Sequence, residues 1–283
     1  MLSGGVAFAA MIMFVRALTD TISAFELAFW RAFIGCLIML PVMLRVGTRM
    51  LKTRRPGAHA LRSLVQYLGI ALWFYSIADI NLSEGMALQF TVPLFTIAMV
   101  AVVFKERVGG FRWLVTLIGF GGVLVVLRPG LHAVSDVAVI VLVSAWFYAM
   151  ANVVAKSLQR TESSETIVFY MNLMHVPMAL APALVVWTGP ALADWPAVLG
   201  MSVTASIAHY CLAQAMRLAP ISVIMPVDFM KLPLVAGFAW LFFGEGSDPL
   251  TWVGAAVIFG ATWVLMRRET RRARAADART AAA

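Results

Sequence analysis

Residues 222–243 read SVIMPVDFMKLPLVAGFAWLFF, an apolar run long enough to cross a bilayer, with Asp228 and Lys231 near its middle. The two charges are three residues apart, so they share one helical face. A cation at bilayer depth costs about 2.5–3.5 kcal/mol on insertion scales, so it persists where it is paired or has a task. Pro226 and Pro233 flank the charges and free backbone carbonyls inside the span. Such discontinuities are tolerated where they line protein or water. The stretch predicts a membrane helix bordering a polar cavity. A purely structural ion pair is the competing reading.

The rest of the chain has the same character. Of its 283 residues 62% are hydrophobic and 13% charged, with mean hydropathy +0.88. Soluble domains have roughly 45–50% apolar and 25% charged residues, so lipid must cover much of this surface. Punctuation at Gly, Pro and charge clusters predicts ten spans. These are Leu2–Leu18, Ile22–Leu44, Leu64–Ile80, Ser83–Phe104, Trp113–Leu127, Val137–Ser157, Thr166–Val186, Ala197–Met216, Ser222–Phe243 and Trp252–Met266. The fifth and tenth are short and should extend into their flanks. Met1–Leu18 lacks a charged n-region and a clear cleavage site, so it reads as the first span.

The net charge of +8 invites a nucleic-acid reading, but the basic residues fall where membrane topology puts them. Arg45–Arg62, Lys105–Arg112, Lys156 and Arg160, Arg217 and the tail from Arg267 all fall on one side. The other side receives Arg16 and Arg128. The positive-inside rule then predicts that both termini are cytoplasmic and the protein lies in the inner membrane. The basic tail after Met266 is expected to be disordered or to lie on anionic lipid. Cys36 and Cys211 sit in apolar runs and read as small buried hydrophobes.

The chain also repeats itself. An ungapped offset of 139 pairs Ser83, Met86 and Phe90 with Ser222, Met225 and Phe229, and Glu106 with Glu245. It also pairs Glu26 with Glu165, and Phe8, Ala10, Met11 and Val15 with Phe147, Ala149, Met150 and Val154. Each half holds five spans, an odd number, so the second half enters the membrane from the opposite side. The expected organisation is an inverted repeat, residues 1–130 and 131–268, followed by a basic cytoplasmic tail, 269–283. Many secondary transporters use this architecture to alternate access around a central site.

Each half has an apolar run, a mid-span Pro and a closing Glu: Pro93 with Glu106, Pro233 with Glu245. Phe29-Trp30-Arg31 enters the second span, and Pro226 to Pro233 lead to Phe243-Gly244-Glu245. In these features the whole chain resembles the EamA-like branch of the drug/metabolite transporter superfamily. The resemblance implies a transporter of a small metabolite and places the fourth and ninth spans at the central cavity. It leaves the substrate open, since members of that superfamily move amino acids, vitamins such as riboflavin, S-adenosylmethionine, nucleotide-linked sugars and drugs.

The candidate substrate-binding residues are Lys231, Asp228, Gln89, Tyr148, Asn152, His209 and Arg31. Lys231 suits a carboxylate, phosphate or enolate-like group, with Asp228 tuning it or carrying a proton. Gln89 lies on a small and polar stripe of the fourth span, although membrane helix interfaces favour such stripes anyway. Tyr148, Asn152 and His209 lie away from span ends, where ring stacking or hydrogen bonding to a substrate is feasible. Arg31, with Tyr170 as its repeat counterpart, reads equally as a substrate contact and as a structural or gating contact. Glu106, Glu245, Pro93, Pro226 and Pro233 read as structural or gating.

Two intramembrane cations favour an anionic or zwitterionic substrate; protons are a second candidate cargo, and monomer and homodimer remain open. The sequence carries no zinc-protease, nucleophile-elbow or phosphate-loop motif, so neither a cofactor nor an enzyme is expected. The alternative is an intramembrane enzyme acting on a lipid or isoprenoid substrate, with Asp228, His209 or Glu26 as acid–base groups.

Overall fold

The structure is a computed structural model that describes residues 1–47, 51–76, 88–106, 108–127, 136–243 and 249–281. Among these residues it is all-helical, and the apolar runs become its helices. They are α1 (Leu2–Leu18), α2 (Ala24–Val46), α3 (Pro56–Ser76), α4 (Val92–Val103) and α5 (Gly110–Leu127), then α6 (Asp136–Leu158) and α7 (Ser164–Val185). A short 3-10 turn leads into α8 (Trp195–Leu218), followed by α9 (Ile221–Asp228), α10 (Lys231–Phe243) and α11 (Pro249–Ala281).

Local chemistry sets the ends. Ser23 and Ser163 cap α2 and α7 by accepting from the Glu26 and Thr166 amides. Pro56 opens α3 and Pro196 lies in the first turn of α8, positions where a missing N–H costs nothing. As expected, α5 begins ahead of Trp113. The tail, expected to be disordered or on lipid, instead continues α11 as helix to Ala281. Its Ala, Arg and Glu residues are strong helix formers, so nothing stops the helix at the end of its apolar part.

Among the described residues six helical stretches are long and apolar enough to cross a membrane: 24–44, 136–158, 164–185, 192–218, 221–242 and 249–271. Leu2–Leu18, Val92–Val103 and Gly110–Val126 are shorter and apolar. The protein is a multi-pass membrane protein. Its surface is inverted relative to a soluble domain, with Val102, Leu184 and Phe242 exposed and Glu26, Arg62 and Gln66 buried. α3 falls outside both groups, since His59, Arg62, Ser63 and Gln66 interrupt its apolar sequence, and all four are buried.

The 139-residue offset recurs in the helix starts. α3 and α8 begin at 56 and 195, α4 and α10 at 92 and 231, α5 and α11 at 110 and 249. Packing keeps the same relation. α1 lies on α8 as α3 lies on α6, and α10 lies on α1 as α4 lies on α6. α2 packs on α7, α5 on α11 and α4 on α9.

At the α5–α11 crossing the two backbones approach closely. A Cβ on Gly254 would stand 2.6 Å from the Gly122 carbonyl oxygen, and one on Gly122 would stand 3.0 Å from that of Gly254. Small residues permit such contact, which drives helix association in lipid. Gly121 faces open space. Gly254→Val is therefore expected to lower the unfolding midpoint in detergent by the overpacking cost of about 1–3 kcal/mol. Gly121→Ala should leave it unchanged; an equal fall for both would contradict this crossing.

Candidate substrate site

The ninth apolar run is broken where it carries its charges. Asp228 ends α9, Phe229 and Met230 form a turn, and Lys231 starts α10. Pro233 explains the break, because it has no N–H to give the Phe229 carbonyl. That carbonyl accepts instead from the Leu232 amide at 3.1 Å, and the Met230 amide turns back to Val227 at 3.1 Å. The fourth run breaks at the equivalent place. Leu88 and Gln89 are helical, Phe90 and Thr91 form the turn, and Pro93 sits in the first turn of α4. The two breaks meet, with the Phe90 and Phe229 rings 6.2 Å apart. Phe229 is fully buried and fills the space that a side chain at Gly119 of α5 would need.

Lys231 Nζ lies 2.6 Å from Asp228 Oδ1. The pair is an ion contact outside hydrogen-bond geometry, for Oδ1 has no hydrogen-bond partner. Lys231 also stands over the Phe8 ring at 4.6 Å. Both charged residues line a cleft with Gly4 and Gly5 of α1 and Ala208 and Leu212 of α8. Each side chain is about one-fifth exposed (20% and 21%), so the pair is reachable and not sealed. Each charge is on the helix end that the dipole disfavours, an acid at the C-terminus and a base at the N-terminus. Their mutual attraction offsets this.

Arg31, Tyr148 and His209 form a second group. The Arg31 charge acts on both Tyr148 and His209, and the Lys231 charge also reaches His209. All three lie deep among protein atoms yet keep partial access, as side chains bordering an internal cavity do. Among the described residues no carboxylate lies within ion-pair distance of Arg31. The nitrogen Nδ1 of His209 faces the Ala205 carbonyl of its own helix at 2.9 Å.

Gln89 and Asn152 are tied to neighbouring helices. Gln89 Nε2 donates to Ser144 Oγ at 2.8 Å, and that hydroxyl donates to the Gly69 carbonyl at 2.7 Å. Asn152 Nδ2 donates to Thr96 Oγ1 at 3.4 Å. Glu106 belongs to a polar cluster where the end of α4 and the starts of α5 and α9 meet the side of α11. It accepts from Ser222 at 2.7 Å and lies 3.8 Å from Arg112, which binds Glu269 through two 3.1 Å hydrogen bonds. Glu245 lies outside the described residues. Glu26 is fully buried and accepts from the Thr188 amide and hydroxyl and the Gly189 amide. It holds the α7–α8 loop, which leaves it no free oxygen for acid–base work.

In the sequence Arg62, Ser63 and His59 read as loop residues or the start of a span, not as intramembrane polar groups. The signal was present. Arg62 and Gln66 sit four residues apart, opposite Met201 and Ala205 in the second half.

Both halves match one family profile, the EamA-like transporter family, over residues 1–128 and 137–267. The chain belongs to that family. It is 31% identical to a riboflavin transporter of Rhizobium johnstonii, over 97% of this chain and 92% of that one. It is 26% identical to an S-adenosylmethionine uptake transporter of Rickettsia prowazekii, over 90% and 87%. A crystal structure at 16% identity superposes with a TM-score of 0.79, over 95% of this chain and 98% of that one, which shows the shared fold. Family and relatives point to a small-metabolite transporter and not to an enzyme.

The ion pair yields a direct test. Lys231→Met leaves Asp228 without its partner and should lower stability in detergent. The loss is expected to fall somewhat below the ~3–5 kcal/mol of a fully buried pair, given the pair's partial exposure. Asp228→Asn with Lys231→Met should recover most of the loss. No recovery in the double variant would show that the two charges do not support each other.

Proposed function

We propose that this EamA-like protein is a ten-span secondary transporter of the inner membrane with both termini cytoplasmic. Two inverted five-helix halves, 1–130 and 131–268, alternate access around the paired helix breaks. The mirrored packing of α1 on α8 and α3 on α6 supports this reading, as does the 139-residue spacing of helix starts. The cargo is a small polar or amphipathic metabolite: an amino acid, a vitamin or a nucleoside-like compound. The observation that carries the reading is the charged break at Asp228–Lys231, open to a cleft between α1, α8 and α10.

Similarity to the riboflavin transporter makes riboflavin the first cargo to test. Lys231 and Arg31 bind polar groups, while Tyr148 and His209 stack on a ring or donate to it. Gln89 and Asn152 position the cavity wall. Asp228 carries the proton if transport is proton-coupled. Pro93, Pro226 and Pro233 keep the breaks from closing into regular helix, and Glu106, with its repeat counterpart Glu245, latches helix ends at the cavity mouth.

Proteoliposomes holding the purified chain should take up labelled riboflavin saturably, with S-adenosylmethionine as the second arm. Lys231→Ala should cut uptake at least about tenfold, as loss of about 1.4 kcal/mol of binding would. An imposed pH gradient should accelerate uptake, and a protonophore should remove the acceleration. If no vitamin, amino acid or nucleoside moves, the transport reading is wrong. If uptake ignores the pH gradient, proton coupling is wrong.

A further inference from the structure

α3 carries a buried guanidinium that the ion pair and the Arg31 group do not account for. Arg62 is 9% exposed, and its Nε and Nη1 have no hydrogen-bond partner. Among the described residues no carboxylate lies within ion-pair distance of it, and nothing acidic offsets its desolvation. The acidic group that acts on neighbouring His59 is Glu162, which already accepts from the Thr53 hydroxyl and the Arg54 amide. A buried charge left uncompensated is expensive. Gln66, one turn on and 7% exposed, has an orphaned Oε1.

The direction of this pair follows from helix geometry. At 100° per residue, positions 62, 66 and 69 fall within roughly 60° of one another. The chain on either side of Arg62 and Gln66 is fixed on α6, through Arg55 just ahead of the helix and Gly69 within it. Arg55 donates to the Ser157 carbonyl and hydroxyl at 3.0 Å each, and the Gly69 carbonyl accepts from Ser144 beside Tyr148. Arg62 and Gln66 lie between them, over the part of α6 that carries Tyr148 and Asn152. The Arg62 charge also reaches His175 and His209. The Arg31, Arg62 and Lys231 charges thus all act on His209, which places the stripe beside the Arg31 group.

We propose that Arg62 and Gln66 form the subsite for an oxyanion of the transported metabolite, a carboxylate or phosphate. Gln66 Oε1 receives an N–H or O–H of the same molecule. The cargo class is thus an acidic metabolite with a hydrogen-bond donor beside its anionic group. Among the described residues Arg62 and Arg31 are cations without a carboxylate within ion-pair distance, whereas Lys231 has Asp228. An anionic cargo would compensate the unpaired charge during transit. This assignment deepens the transport reading and rests on it.

The test uses the full-length protein in detergent. Its unfolding midpoint is measured in succinate and, separately, in inorganic phosphate, each against chloride at matched ionic strength. Wild type should gain about 2–4 °C over the general salt effect, which Arg62→Met reports. Arg62→Met should lose that gain yet be at least as stable as wild type in chloride, since an uncompensated buried charge is gone. Gln66→Leu should weaken the gain in phosphate, which carries an O–H for Gln66 Oε1, more than in succinate, which has none, and Lys231→Met should keep both gains. Equal gains in wild type and Arg62→Met overturn the proposal. So does a chloride midpoint of Arg62→Met well below wild type, which would make Arg62 structural. Stabilisation by phosphatidylglycerol and not by either free ion would assign the site to lipid and overturn the cargo role. Failure of riboflavin transport leaves these readouts intact, so the two readings fail separately.

Discussion

Backbone hydrogen bonding without water is the constraint on which this architecture depends. Within lipid every amide and carbonyl needs a partner from the protein, and a broken helix is tolerable only where neighbours cover the break. Here Pro93 and Pro233 force breaks in the fourth and ninth apolar runs, and the molecule places the two against each other. The Phe90 and Phe229 rings meet at the turns, Gly119 leaves room for the Phe229 ring, and the Leu232 amide takes up the Phe229 carbonyl that Pro233 frees. The charged residues are set at this junction, where a helix end provides polar backbone and an ion pair limits the cost of the charges.

Scaffold and chemistry follow different rules in this chain. Helix starts and packing partners recur at an offset of 139, as do Glu26 and Glu106, but several of the candidate binding residues do not. Lys231 stands opposite Val92, Arg62 opposite Met201, Gln66 opposite Ala205, Tyr148 opposite Ala9 and Asn152 opposite Met13. Those four buried counterparts in described helices, Met201, Ala205, Ala9 and Met13, are packed core residues. The proposed alternation needs two similar halves, because each conformation uses the packing of both. Recognition of a cargo with its own asymmetric groups needs only one copy of each contact. Polarity that breaks the repeat is therefore the better guide to binding chemistry than polarity as such.

Much of the fold was legible in residues. Apolar length and punctuation locate the helices, and the Glu, Ser, Met and Phe matches at one offset anticipate the spacing of helix starts. The Asp228–Lys231 pair was legible because a charge inside an apolar run is conspicuous. Arg62 was not, since a cation near a basic loop reads as solvated until neighbouring helices are seen to cover it. Glu26 reads in sequence as a possible acid–base group and Glu106 as structural or gating; in the structure one pins a loop through three donors and the other joins an arginine–glutamate cluster. Sequence spacing does not encode which distant helix end will supply those donors.

By itself the sequence determined that this chain is helical, embedded in lipid, duplicated in pattern and carrying charge where lipid would not accept it. These follow from composition and local periodicity, which act within a few residues along the chain. Tertiary structure alone decided which charges are paired, which polar atoms are orphaned and which helices share a cavity. Those depend on side chains brought together from positions 50 to 160 residues apart, and burial, which sets the cost of every unpaired group, exists only once the helices have packed.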